Sequence, residues 1–151
     1  MKKKVFFIVP GKASPSGSKK AFAHPKTGRI IVMDTAKRKD SWQSRVSLFA
    51  SQAMSDVKLT AEEFSGPVVM TIQFYFSRPK SHFRTGKNAH LLKADAPQNH
   101  VKKCDLTKLV RCTEDALSGI AWKDDCQVIE RLESKGWADE DAVKILLVWG
   151  Y

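Results

Sequence analysis

The chain is poor in several features that would mark common functions. Its 151 residues hold only three cysteines, Cys104, Cys112 and Cys126, an odd number with no C-x-x-C pair. That spacing argues against a disulfide framework and a zinc site, and leaves three reduced thiols. The four histidines, His24, His82, His90 and His100, fall in expected loops without ligand spacing and read as surface residues. No apolar run approaches the ~20 residues a membrane span requires. After the basic start, the apolar stretch Val5 to Val9 ends at Pro10, and no small-residue cleavage site follows before Gly11. The segment therefore reads as a first strand rather than a signal peptide, and a cytoplasmic protein is expected.

Carboxylates are scarce over the first two thirds of the chain and gathered in the last third. Residues 1–103 carry 20 Lys/Arg against 6 Asp/Glu, a balance of +14, whereas residues 104–151 carry 6 against 10, a balance of −4, which together give the net +10. A basic body with one acidic cluster suits a protein that holds a polyanion and also binds a divalent cation.

The length suits one domain over residues 1–151 with a real core. Strands are expected at Val5–Val9 and Pro67–Phe76, and a hairpin pairs Ala21–Ala23 with Arg29–Met33 around the turn His24–Gly28. Lys37 to Asp40 leads into a helix with Asp40 as N-cap and Gln43 at the capping-box position. Its apolar stripe is Trp42, Val46, Phe49, Ala50, Ala53, Met54 and Val57. In Pro67–Phe76 the residues Val68, Met70, Ile72, Phe74 and Phe76 alternate with a second set, so one face is buried. Arg78 to Lys103 is a long basic segment without periodicity. A second helix spans Leu106 to Ser118 and stops at Gly119. Asp125–Glu133 and Val143–Trp149 are expected closing strands, joined by an acidic turn over Gly136–Asp141. The pattern predicts an α+β single domain, a mixed sheet packed on two main helices.

The second helix and the segment after it carry the chemistry. Leu106, Leu109, Val110, Thr113, Ala116 and Leu117 share one face, while Thr107, Arg111, Glu114 and Ser118 share another, with Asp115 and Lys108 at its edge. Asp105 stands at the helix entrance, and Asp124 and Asp125 are adjacent at the mouth of a strand. Like charges so close need compensation, and Mg²⁺ (or Mn²⁺) prefers such carboxylate oxygens. In phosphodiester hydrolysis the ion activates water and neutralises charge on the phosphate, while Arg111 can steady that phosphate. From residue types alone a plainer alternative stays open: Asp105 as an N-cap, Asp124–Asp125 as a turn, and Arg111–Glu114 as a surface ion pair.

The order K-x-D-L-x-x-L-x-R-x-x-x-D-A-L-x-G over Lys103–Gly119, followed by W-x-D-D-x-Q-V over Trp122–Val128, resembles the RusA family of Holliday junction resolvases. Comparable features extend over most of the chain: the Gly11–Lys20 loop, the His24–Arg29 turn, Trp42, and the strand exit Arg78–His82. The resemblance implies a Mg²⁺-dependent endodeoxyribonuclease, acting as a homodimer that resolves four-way junctions by paired nicks in recombination and repair, with no small-molecule cofactor and no membrane association. An isologous dimer offers two equivalent centres to a two-fold junction. By position, Asp105 matches the first catalytic aspartate, Asp125 with Asp124 beside it the aspartate after the helix, and Arg111 a functional lysine.

The metal ligands are then Asp105, Asp125 and Asp124, and the catalytic set adds Arg111 and Glu114. Lys19, Lys20, Arg78, Lys80, Arg84, Lys87, Lys102 and Lys103 are the expected DNA-binding surface, which reads shape through phosphates. Two positions depart from the family pattern: Cys104 stands where a proline is usual, and Thr107 where the second aspartate of a D-x-D pair is usual. Glu114, two turns beyond Thr107 and about 10 Å along the axis, is one candidate replacement; Asp115 and Asp124 are others. The rival readings are a junction-binding accessory protein impaired in cleavage and a basic RNA-binding domain.

Overall fold

In the computed structural model, which describes residues 2–34 and 38–150, the longest buried alternation builds the centre of the sheet. Strand β4 (Val68–Ser77) buries Val68, Met70, Ile72, Phe74 and Phe76 and leaves the intervening residues half-buried. It lies between β6 (Ala142–Trp149), antiparallel, and β5 (Val128–Ala138), parallel. Strand β1 (Lys3–Pro10) closes the other side of β6, giving the order β1-β6-β4-β5. A parallel neighbour requires a crossover, and the basic segment after β4 together with helix α3 (Leu106–Leu117) supplies it. The fold is the expected α+β arrangement with a mixed sheet.

Two helices cover one sheet face. α1 (Lys39–Met54) buries Trp42, Val46 and Ala50, with Phe49, Ala53, Met54 and Val57 partly buried, so the predicted stripe faces the core. α3 buries Leu109, Val110, Thr113, Ala116 and Leu117 as expected, and Cys112 as well; Leu106 packs at the rim. Polar bonds fix the register between them. Trp42 Nε1 donates to Thr113 Oγ1 at 3.1 Å, Gln43 Nε2 to Cys112 O at 3.1 Å, and Ser47 Oγ to Ala116 O at 3.1 Å. Thr113 in turn donates to Leu109 O, so a hydroxyl inside an apolar face has both roles satisfied. Trp149 Nε1 donates to Ala121 O at 3.2 Å and ties the last strand to the segment after α3.

Several expectations change. The residue at the N-cap of α1 is Arg38, without a side-chain cap; Asp40 lies inside the first turn, and Gln43 reaches α3 instead of closing a capping box. Lys37, part of the expected lead-in, lies outside the described residues. A capping box occurs at the short helix α2 (Ala61–Ser65), where Thr60 and Glu63 satisfy each other's amides. Asp125–Gln127 form a 3-10 turn, so the strand starts only at Val128; it runs through Gly136 to Ala138, and the acidic turn is shorter than expected.

The histidine reading is corrected for two of the four. His82 and His100 are buried, not surface residues, and pack on Trp137, with Phe76 against His100. The physical reason is that loop 78–103 folds back on the end of β4 and β5. Arg78 donates to Pro97 O at 2.7 Å and lies over the Trp137 ring, closing that loop onto the sheet. The hairpin β2 (Lys19–Ala23) and β3 (Ile30–Asp34) stands as a separate two-stranded ribbon whose β2 residues are all exposed.

Candidate active site

Helix α3 lies against β5, and β5 positions both of its ends. Lys135 donates to Lys102 O at 2.9 Å and Cys104 O at 2.8 Å, which holds the chain entering the helix. Toward the helix end, Arg131 Nη1 reaches Glu114 Oε2 at 3.1 Å, and its Nε lies 2.7 Å from Glu133 Oε2. The Arg111–Glu114 ion pair of the plainer alternative does not form; Glu114 belongs instead to a cross-element Glu114–Arg131–Glu133 network.

Asp105 occupies the N-cap position but makes no capping bond there. Its side chain is 71% exposed, with Lys108 at 3.8 Å, and is free to accept an external group. Beside it lies a hollow of about 830 Å³ lined by Ser16, Gly17, Ser18, Lys19, Lys39, Asp105, Thr107, Lys108, Arg111 and Asp115. The wall opposite α3 is pinned by Ser16 N donating to Lys108 O at 2.9 Å and Lys108 Nζ to Ser18 Oγ at 3.3 Å. Four cations and two carboxylates around one open hollow suit a phosphodiester better than an apolar ligand.

Asp125 lines a second hollow with Glu114, Val128, Ile129, Glu130, Arg131 and Glu133. It accepts from Trp122 Nε1 at 2.9 Å, a bond that orients its carboxylate from a fully buried ring. The Glu114 side chain is only 13% exposed. Burial raises its pKa above the usual carboxylate value; Arg131 opposes this, and the charges of Asp125 and Asp115 add to it. Asp124 does different work. Its carboxylate accepts from Cys126 N at 2.9 Å, which lowers its pKa, while Gln127 Oε1 accepts from the amides of Lys123 and Asp124. Gln127 Nε2 then donates to Phe64 O and Gly66 O, anchoring the whole turn.

The expected site residues thus fall into two hollows on α3: Asp105 with Thr107 and Arg111, and Asp125 with Glu114. Asp124 lines neither. Among the described residues no three His, Cys, Asp or Glu side chains stand in a group that could hold a metal ion. Of the expected DNA-binding residues, Lys19 lines the larger hollow, and Lys103 lines the adjoining recess beside Asp105. Lys20, Lys80, Arg84, Lys87 and Lys102 are exposed, whereas Arg78 is half-buried and spent on the loop anchor. Sequence reasoning left out Lys39, Ser16, Arg131, Glu133 and Lys135. For the last three a signal existed, since Arg131, Glu133 and Lys135 alternate along one strand and share a face.

A mixed sheet backed by two helices, with carboxylates and cations interleaved along one of them, makes an α+β domain with an open, charged face on α3. The sequence model of the family described as Endodeoxyribonuclease RusA matches residues 10–147, and the chain belongs to that family. It is also 29% identical over 122 residues to YqaN of Bacillus subtilis (strain 168), an uncharacterised protein, with 81% of each chain covered. No described helix is long and apolar enough to cross a membrane.

Proposed function

We propose that the protein is a divalent-metal-dependent endonuclease that nicks branched DNA at four-way junctions, acting as a homodimer. The observation that carries this reading is the pairing of Glu114 with Asp125 in one hollow while Asp105 and Arg111 open onto the next, all within the family's motif. The donor chemistry fits magnesium, since these ligands are carboxylate oxygens, and Glu133 Oε2 is buried beside them with an ion pair to Arg131 but no aligned hydrogen bond. Asp125 and Glu114, which share one hollow, would hold the ion, whereas the expected ligand Asp105 opens onto the other hollow with Thr107 and Arg111. Bound magnesium supplies charge neutralisation at the phosphate and a water of lowered pKa.

The chain's own residues do the rest. Lys19, Lys39, Lys108 and Arg111 hold the phosphodiester in the larger hollow. Trp122 fixes the Asp125 carboxylate, and Arg131 offsets the repulsion between Glu114 and Glu133 until the ion is bound. Asp124 keeps its turn rigid as a cap. Lys20, Lys80, Arg84, Lys87, Lys102 and Lys103 extend the contact along the DNA backbone.

A synthetic four-way junction titrated with Mg²⁺ or Mn²⁺ tests the proposal. Symmetric nicking is expected, abolished by Asp105→Asn or Asp125→Asn and strongly reduced by Glu114→Gln. Tight junction binding without cleavage under either ion would favour the second reading, an accessory binding protein, for which Thr107 in place of a carboxylate is the specific support. Thr107→Asp separates the two further, because it rescues cleavage only where the missing charge is what limits it.

A further inference from the structure

The ribbon β2–β3 carries exposed apolar side chains on both of its faces. In its register Ala21 pairs with Val32, Ala23 with Ile30 and Phe22 with Ile31. Val32 and Ile30, 58% and 75% exposed, therefore share one face. Phe22, 46% exposed, lies on the other with Met33, which is also exposed. None of these residues joins the core or packs against it. A two-stranded hairpin in water is marginal alone and ordinarily turns a polar face outward. A blade apolar on both sides is suited instead to a gap between two flat apolar surfaces. Charge says which surfaces those are. From Ser18 to Met33 the chain carries Lys19, Lys20, Lys26 and Arg29 and no carboxylate, which fits apolar planes edged with negative charge, as base pairs are.

The root of the ribbon is tied to the larger hollow. Lys19, the first residue of β2, lines that hollow with Asp105 and Arg111, and the preceding Ser16 and Ser18 are bonded to Lys108. The tip is closed by His24 N donating to Arg29 O at 2.8 Å and Gly28 N to His24 O at 2.9 Å. Gly28 takes the positive φ of 66° that this turn needs. From Lys19 the three steps to Phe22 span about 10 Å, and the tip lies roughly 20 Å away.

We infer that the ribbon is a wedge that enters the open centre of a branched DNA and stacks on the base pairs exposed there. Phe22 and Met33 meet one side of the gap, Ile30 and Val32 the other. The inference rests on the branched-DNA reading above and adds how a branch is told from plain duplex. In an intact duplex an apolar wedge must first separate stacked base pairs, which opposes its entry. At a branch the stack is already interrupted, so the same contact forms without that cost. The cations beside it bind the phosphates of either DNA. Selectivity for the branch therefore lies in the apolar residues and affinity in the lysines. At about 3.4 Å per nucleotide along one strand, a wedge centred on Phe22 sets the branch within about three nucleotides of the phosphate held in the hollow.

The test measures binding of the full chain, without divalent ion, to a four-way junction and to a linear duplex of the same sequence. Phe22→Ser with Ile30→Ser is expected to weaken junction binding about tenfold or more, the worth of lost stacking, and duplex binding by less than about twofold. Phe22→Trp, which keeps a stacking ring, is expected to hold the junction as the wild type does. Lys20→Ala with Lys26→Ala is expected to weaken both complexes alike. Circular dichroism and melting of the Ser pair should match the wild type, since both side chains lie outside the core. Equal losses on the two DNAs, or junction selectivity that survives the Ser pair, overturns the wedge alone. A changed subunit number for the Ser pair in sedimentation velocity overturns it too, by assigning the ribbon to a protein contact. A wild type that binds junction and duplex alike overturns the branched-DNA reading together with the wedge.

Discussion

Lys135→Met removes the ammonium that holds the entrance of α3 while keeping the length and apolar stem of the side chain. Lys135 makes two bonds, at 2.9 and 2.8 Å, to the carbonyls of Lys102 and Cys104. A charged hydrogen bond to a group left without a partner is worth about 1.5–3 kcal/mol, but one of these carbonyls is exposed and water replaces it. The expected loss is therefore about 2 kcal/mol of unfolding free energy, or roughly 4–8 °C in Tm for a domain of this size. Cys104 immediately precedes Asp105, so the carboxylate loses its fixed position at the same time. A ligand displaced by about 1 Å commonly costs ~100-fold in rate. Urea unfolding followed by tryptophan fluorescence measures the first quantity. Single-turnover nicking of a four-way junction, under conditions where the variant is fully folded, measures the second. If stability falls as stated while nicking stays within about twofold, Lys135 is only structural and does not position Asp105. Unchanged stability would refute the assigned worth of the two bonds themselves.

Three further outcomes are expected from other parts of the molecule. The pKa of Glu114 is raised in the folded state, so its contribution to stability is fully present below its ordinary 4.5 and is lost as pH rises through the raised value. Lowering pH from 7 toward 4.5 should therefore shift the urea midpoint in favour of the wild type relative to Glu114→Gln, and a difference independent of pH would contradict the assignment. The pKa of His100 is lowered by burial, with backbone bonding opposing and nearby lysines adding to the shift, so its stability contribution is present above the ordinary 6.5 and fades as pH falls through the folded value. His100→Phe should flatten that acid limb in a melting series; an unaltered limb assigns it elsewhere. Trp122→Phe removes the donor to Asp125 while leaving an aromatic ring in the core, and should cost about 1 kcal/mol. It should also lower kcat for nicking more than it raises KM, and equal effects on both would show that Asp125 needs no such orientation.

What the sequence determined by itself was set by local periodicity. Alternation over β4 and the three-and-four spacing of α1 and α3 needed no partner to be legible, because burial on one face dictates them. The family motif named Asp105, Arg111 and Asp125 for the same reason, as residues at fixed offsets around one helix. The tertiary structure alone decided what lies opposite each element. Residues distant in the chain share no periodicity, so the sequence could not tell that Arg131 would claim Glu114 from a neighbouring strand, or that Lys135 would hold the chain before Asp105. Nor could it tell that His82 and His100, written among polar loop residues, would be buried against Trp137. Asp124 and Asp125 are adjacent and chemically alike, yet a turn geometry gives one carboxylate to a backbone amide and turns the other toward Glu114. Thr107, where the missing charge was read, remains on the helix surface with the motif carboxylates Asp105 and Asp115 in its hollow, while Glu114, Asp125 and Glu133 are brought together by the fold in the other.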